Sequence, residues 1–117
     1  MVVPAPLRLF KSLSDDTRLK LVLMIMAEQE MCVCEMAHAL DESQPKISRH
    51  LALLRQNGLL ADRREGQWVY YRLAPGLDPG SLAVLRATLE HFRPYIDLPL
   101  QRLARMGNRP ERQRLCC

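Results

Sequence analysis

Two cysteines stand two residues apart at positions 32 and 34, inside the run EMCVCEM that spans residues 30–36. Such a pair can serve as a redox couple, as half of a zinc site, or as a clamp for one soft, thiophilic ion. Thiolates are the ligands that soft ions prefer, and the deprotonated form is the one that binds. A partial positive charge at a helix start and the basic surroundings both favour that form.

Neither zinc nor redox chemistry fits the pair well. Structural zinc takes four ligands, and the nearby candidates stop at Glu35 and His38. A thiol oxidoreductase more often carries C-x-x-C in a thioredoxin-like βαβ pattern, which is absent. A buried structural role remains open, as for any cysteine. We favour the clamp.

The spacing of the pair constrains its backbone. Residues i and i+2 lie on different sides of a helix, whereas in an extended segment they point the same way. One ion can therefore bind Cys32 and Cys34 only if the segment is extended or becomes so. Ligation is then expected to strain the helix that begins there and to move the helix that follows it.

The bulk composition limits the class of protein. The chain has 117 residues, of which 48% are hydrophobic and 26% are charged, as in one globular domain. A net charge of +4 favours a polyanionic partner without deciding it. The N-terminal segment does not resemble a signal peptide, and no stretch reaches the roughly 18 apolar residues of a membrane span. We therefore expect a cytoplasmic protein with no membrane contact, whose four cysteines are thiols.

Apolar spacing places the thiol pair in a chain of helices. The second helix is apolar nearly all round, which predicts a buried, central position. The fourth has Ser43 as its cap, Pro45 in its first turn, and Gly58 as its C-terminal stop. Pro94 and Pro99 must end or kink the last helix. The predicted helices are residues 7–13, 17–29, 32–40, 43–57 and 81–93.

The third and fourth helices form a helix-turn-helix candidate. Ile47, Leu51 and Leu54 fall on one side of the fourth helix and should pack inward, which leaves a polar face outward. A helix that enters the major groove of DNA needs such a face, although most amphipathic helices are simply solvated.

A β-hairpin follows directly, because LLADRREGQWVYYRL alternates with period two around the turn at Glu65-Gly66. A hairpin in this place makes a winged helix, and its arginines suit DNA phosphates. The predicted DNA contacts are Gln44, Lys46, Ser48, Arg49 and His50 on the helix, and Arg63 and Arg64 on the hairpin.

The run LDESQPKISRHLALLRQNGLLADRREGQWVYYRL resembles the DNA-binding half of the ArsR/SmtB metalloregulatory repressors, and CVC is similar to the thiol motif of their arsenic-responsive branch. The resemblance covers about residues 7–75. It implies a mainly α winged helix-turn-helix with a small β-hairpin, which is a homodimer and not an enzyme. It further implies repression of an arsenic-resistance operon through double-stranded operator DNA. As(III) or Sb(III) would release that DNA by binding Cys32 and Cys34.

The sequence departs from the family pattern at one position. Some arsenic sensors carry a third cysteine where this chain has Ala37, and trivalent arsenic is expected to take three sulfurs. Cys116 or Cys117 is the candidate third ligand, from the same chain or from a partner; exposed terminal thiols are the alternative. The last helix offers Glu90 and His91, too few for the site of the zinc-sensing branch.

Two expectations concern organisation. Residues 1–106 are predicted to form the winged helix-turn-helix domain, and residues 107–117 a basic, mobile C-terminal tail. The stripe formed by Leu82, Leu85 and Leu89 should be buried against the first helix or a partner subunit. The dimer is expected to form through the first and last helices.

Overall fold

The computed structural model describes residues 5–108 and residue 112. None of the helices in this part of the chain is long and apolar enough to cross a membrane. A 3-10 turn, Arg93–Ile96, separates the last two helices. In chain order the helices and strands are α1 (Ala5–Leu13), α2 (Asp16–Glu28), β1 (Met31–Cys32), α3 (Val33–Leu40), α4 (Gln44–Gln56), β2 (Leu60–Glu65), β3 (Trp68–Leu73), α5 (Pro79–His91) and α6 (Asp97–Arg105).

Side-chain caps fix where the longer helices begin. The carboxylate of Asp15 accepts a hydrogen bond from the Arg18 amide at 3.0 Å and caps α2. Ser43 caps α4 in the same way, and Asp78 caps α5. Gly58, just beyond α4, has a φ of +80°, the left-handed conformation that glycine adopts without strain. The predicted cap and stop of the fourth helix are confirmed.

Helix α2 lies at the centre of the hydrophobic core. Its residues 21–25 are all fully buried, which confirms the position expected of a helix that is apolar nearly all round. The α4 residues Ile47, Leu51 and Leu54 pack into the same core with no exposed surface. The polar face of α4 is therefore left outward.

The hairpin is confirmed, and the structure adds a strand that the sequence pattern did not predict. Strands β2 and β3 are antiparallel, with Glu65 opposite Trp68 across a two-residue loop. The two-residue strand β1 pairs with the other edge of β3, with Cys32 opposite Tyr70. The strand order is β1-β3-β2, so the first cysteine of the thiol pair belongs to the same sheet as the hairpin.

The C-terminal helices differ from the prediction. Helix α5 ends at His91, and Pro94 lies in the 3-10 turn that follows. The chain then forms another helix, α6, with Pro99 in its first turn. Proline costs little there because the first amides of a helix have no intrahelical partner. Pro94 therefore ends a helix as expected, whereas Pro99 helps to begin one.

The leucine stripe on α5 is buried only in part. Leu85 has no exposed surface and packs into the core that α5 shares with α1 and α2. Leu82 and Leu89 are half-buried. Burial within the protomer therefore accounts for the centre of the stripe without a partner subunit.

We expect Leu85→Ala to lower the free energy of unfolding by about 2–5 kcal/mol, because it leaves a cavity in a closed core. Leu82→Ala, on the same helix but outside the core cluster, should cost clearly less. Urea denaturation of both variants measures the difference. Equal losses would contradict the assignment of Leu85 to the core.

Candidate functional site

The two cysteines already lie together. Cys32 is extended, with φ −89° and ψ 161°, and Cys34 lies in the first turn of α3. Their Sγ atoms are 3.4 Å apart, well beyond the roughly 2.05 Å of a disulfide. The expected extended geometry is confirmed, and α3 does not have to unwind for one ion to reach both sulfurs. We call Cys32 and Cys34 the thiol pair.

The oxidation state of the pair differs from the expectation. Cys32 is buried and lies outside any disulfide, but Cys34 is disulfide-bonded. The prediction that every cysteine is a thiol is therefore wrong for Cys34, and ligation of an ion by both sulfurs requires reduced protein. Cys116 and Cys117 lie outside the described residues.

Glu35 holds the backbone of the thiol pair in place. Its side chain is completely buried, and its Oε1 accepts a hydrogen bond from the Cys32 amide at 2.9 Å. This is the return half of a capping box, in which the third helical residue satisfies the cap residue's amide. Glu35 therefore fixes the extended conformation of Cys32 on which the approach of the sulfurs depends.

The thiol pair opens onto a groove between the hairpin and the start of α4. This cavity has a volume of about 210 Å³. Cys32 and Cys34 form one wall, while Gln44 and Ser48 of α4 form another. Trp68, which packs against the cluster of Cys32, Cys34 and Tyr70, also lines the groove. An ion at the thiol pair would therefore adjoin both parts of the fold that can contact DNA.

A row of residues crosses the sheet from the thiol pair to the hairpin. Cys32 pairs with Tyr70, and Tyr70 pairs with Arg63 on β2. The Arg63 guanidinium lies 4.4 Å from the centre of the Tyr70 ring. It also donates to both carboxylate oxygens of Glu30, at 2.6 and 2.8 Å. Hydrogen bonds from Arg63 to Glu30 and Glu65 raise the pKa of its guanidinium above the usual value.

Three of the predicted DNA contacts on α4 are accessible. Gln44, Ser48 and Arg49 are exposed, on the face away from the buried residues of that helix. They lie in its first two turns, which is where a recognition helix meets base edges in the major groove.

The other two predicted contacts on α4 are engaged within the protein. Lys46 forms an ion pair with Glu42 at 2.9 Å. His50 is half-buried, with its Nδ1 3.4 Å from a guanidinium nitrogen of Arg18 and 4.0 Å from Asp15. His50 therefore lies at the edge of the core.

The two hairpin arginines occupy different environments. Arg63 is half-buried in its contacts with Glu30, Glu65 and Tyr70. Arg64 points to the opposite face of β2 and is exposed. Within residues 5–108 and Arg112, its guanidinium forms no hydrogen bond or ion pair. Arg64 is therefore the hairpin cation best placed for a phosphate.

Sequence reasoning missed the residues that support the thiol pair. Glu35 carried a usable signal, because an acid three residues after a cap position fits a capping box. Glu30 and Tyr70 carried none, since their contacts depend on the pairing of β1 with β3. The described residues hold no group of three or more histidine, cysteine or acidic side chains able to bind a metal.

The fold and the site define a winged-helix DNA-binding protein, with α3 and α4 as its helix-turn-helix and β2–β3 as its wing. Residues 15–62 match the family described as bacterial regulatory protein, arsR family. The arsenic resistance transcriptional regulator ArsR2 of Pseudomonas putida is 51% identical over 112 residues, 96% of this chain and 97% of that protein. The arsenical resistance operon repressor of Escherichia coli is 42% identical, with 95% of each chain covered. The chain belongs to the ArsR family.

Solved structures show the same fold. HlyU from Vibrio cholerae superimposes with a TM-score of 0.68 at 29% identity, covering 76% of this chain and 92% of that one. The AntR antimony-specific transcriptional repressor gives a TM-score of 0.61 at 30% identity, with coverage of 74% and 75%. The predicted winged-helix class is confirmed.

Substitution of the two hairpin arginines should separate their roles. Arg64→Ala is expected to weaken binding to all DNA sequences alike and to reduce the salt slope by about one unit, because one phosphate contact is lost. Arg63→Ala should change the salt slope less, since Glu30 and Glu65 already neutralise that guanidinium. Binding titrations at several salt concentrations measure both slopes. If Arg63→Ala reduces the salt slope more than Arg64→Ala does, the roles assigned to the two arginines are reversed.

Proposed function

We propose that this chain represses an arsenic-resistance operon from the cytoplasm by binding double-stranded operator DNA, and that As(III) or Sb(III) releases it. The observation that carries the proposal is the thiol pair, with sulfurs 3.4 Å apart, in a groove that also contains the start of α4. The names of the relatives from P. putida and E. coli support the same activity. The name of AntR supports antimony as an alternative ion.

DNA recognition is assigned to the exposed face of α4 and to the wing. Arginine and glutamine can each make paired hydrogen bonds to a base edge, and Ser48 allows close approach. Gln44 and Arg49 therefore specify sequence, whereas Arg64 contacts the backbone. The proposed DNA contacts also include Lys46, His50 and Arg63. Each of these is held by a neighbouring side chain, so we give them a supporting role in DNA binding.

Metalloid binding is assigned to Cys32 and Cys34 in the reduced protein. Soft thiolates favour a soft ion over the hard cations that oxygen ligands hold. Cys116 or Cys117 would supply a third sulfur.

Release follows from the position of β1. Cys32 pairs with Tyr70 in the sheet, and Glu30, two residues before Cys32, forms an ion pair with Arg63 of the wing. One ion can reach both sulfurs as they lie, so the strain arises when that ion also takes its third sulfur and pulls on β1 or on the first turn of α3. Displacement of β1 moves β3 and the wing, and displacement of α3 moves the start of α4. Either change disturbs a surface that has to fit DNA closely.

A homodimer is proposed on the basis of exposed apolar side chains near both ends of the chain. Leu7 and Phe10 on α1 are 47% and 55% exposed, and Phe92 and Leu98 are 63% and 52% exposed. A dimer formed through these regions would hide them and present two recognition helices. Two half-sites about 34–36 Å apart on DNA would then be read together.

The test of the proposed function is a gel shift with the DNA upstream of the chain's own gene, in reductant, with and without arsenite. Retarded DNA that arsenite sets free is the expected result. Retardation that arsenite leaves unchanged would contradict metalloid control, and no retardation would contradict repression through that DNA.

Arg49→Ala should reduce discrimination between operator and random DNA by about 1–3 kcal/mol, as expected for a paired contact to one base. Arg86→Ala, an exposed arginine on α5, is the control and should retain discrimination. Competition titrations with the two DNAs measure the ratio. If Arg49→Ala discriminates like the parent, α4 does not read bases through this residue.

Cys32→Ser and Cys34→Ser should each leave operator binding intact and abolish release by arsenite. A hydroxyl has nearly the size of a thiol, but its hard oxygen cannot replace a soft thiolate. Cys116→Ser and Cys117→Ser should only weaken the response. Anisotropy of labelled operator during an arsenite titration records all four. If arsenite still releases the operator from the Cys32 and Cys34 variants, the C-terminal cysteines become the leading candidates for the metalloid site.

A further inference from the structure

Arg112, in the C-terminal segment, lies against the helix that carries Cys34. Its Nη1 donates to Oε2 of Glu35 at 2.8 Å and lies 3.6 Å from Oε1 of Glu28 on α2. The Arg112 side chain is only 12% exposed. The expected mobility of the tail stays a prediction, and these contacts place Arg112 against α2 and α3.

The turn after α6 holds the Arg112 guanidinium in this position. The Arg112 amide donates to the carbonyl of Asn108 at 3.0 Å, and its Nε donates to the carbonyl of Gly107 at 2.9 Å. Gly107 has a φ of +81°, which a residue with a Cβ adopts only with strain. The backbone of this turn and the acids on α2 and α3 therefore fix Arg112 from two sides.

Glu35 links Arg112 to the thiol pair. A carboxylate taken entirely out of water is costly unless an opposite charge and hydrogen bonds compensate for the lost hydration. Arg112 supplies a compensating charge to one oxygen of Glu35. The other oxygen accepts the Cys32 amide and keeps Cys32 extended. The contacts thus run from Arg112 through Glu35 to the backbone of Cys32.

We infer that Arg112 is a positioning residue for metalloid binding, which it serves by holding Glu35 where that carboxylate keeps the sulfurs of Cys32 and Cys34 together. This inference rests on the proposed function. Without Arg112, the Glu35 carboxylate loses this compensating charge, and its hold on the Cys32 amide weakens. The thiol pair loses its preformed geometry, whereas the exposed face of α4 is unaffected.

The test compares Arg112→Met with Arg105→Met in the reduced, full-length protein. Arg105 is an exposed arginine at the end of α6. Arsenite affinity is read from the emission of Trp68, the one tryptophan of the chain, and operator affinity is measured without arsenite. Arg112→Met should weaken arsenite binding by about 10–100-fold, as substitutions behind metal ligands do, and leave operator affinity unchanged. Arg105→Met should change neither, and Arg112→Lys should restore part of the loss.

A second comparison tests the route through Glu35. Glu35→Gln keeps a carbonyl for the Cys32 amide but removes the charge that Arg112 compensates. Adding Arg112→Met to Glu35→Gln should therefore change arsenite affinity far less than Arg112→Met does alone. Equal effects in the two backgrounds would overturn the route through Glu35.

Other outcomes decide the remaining points. If Arg112→Met binds arsenite as tightly as the parent, and arsenite releases the parent from its operator, the inference is overturned while the proposed function stands. A variant that loses operator and arsenite affinity in parallel shows a general folding role and overturns it as well. A parent that arsenite does not release would overturn the proposed function together with the inference.

Discussion

The pairing of β1 with β3 is the constraint on which the site depends. Two residues of strand hold Cys32 extended, and only in that conformation do side chains at positions 32 and 34 come together. The same pairing makes Cys32 part of the sheet whose other two strands form the wing. The proposed ion-binding segment and the wing therefore belong to one small sheet, so a displacement of β1 would be passed to the wing through β3.

Charge around the thiol pair is arranged differently from the simple basic environment that the sequence suggested. Two carboxylates flank the pair, from Glu30 and Glu35, and each is matched by an arginine distant in the chain. Arg63 belongs to the wing and Arg112 to the C-terminal segment. The negative charge that would oppose thiolate formation is thereby offset, and two otherwise separate parts of the protein are tied to the segment that holds the cysteines.

Local sequence patterns predicted α4 and the wing well. They did not predict the residues that hold the thiol pair in place. Ile47, Leu51 and Leu54 repeat at helical spacing, and the period-two run around Gly66 has a clear turn, so α4 and the wing followed from neighbouring residues alone. Strand β1 has two residues and no period, and it exists because β3 offers a free edge. The contact of Arg112 with Glu35 joins residues 77 positions apart, and no local rule brings them together.

The most direct test follows Trp68 and the operator together. Trp68 packs against the cluster of Cys32, Cys34 and Tyr70 and lines the same groove as the two cysteines, so an ion bound by their sulfurs must alter its surroundings. Arsenite should change the emission of Trp68 in the reduced, DNA-free protein, and over the same concentration range it should release a labelled operator from the complex. Release of the operator with no change at Trp68 would contradict the account, because the ion would then act from a site away from the thiol pair.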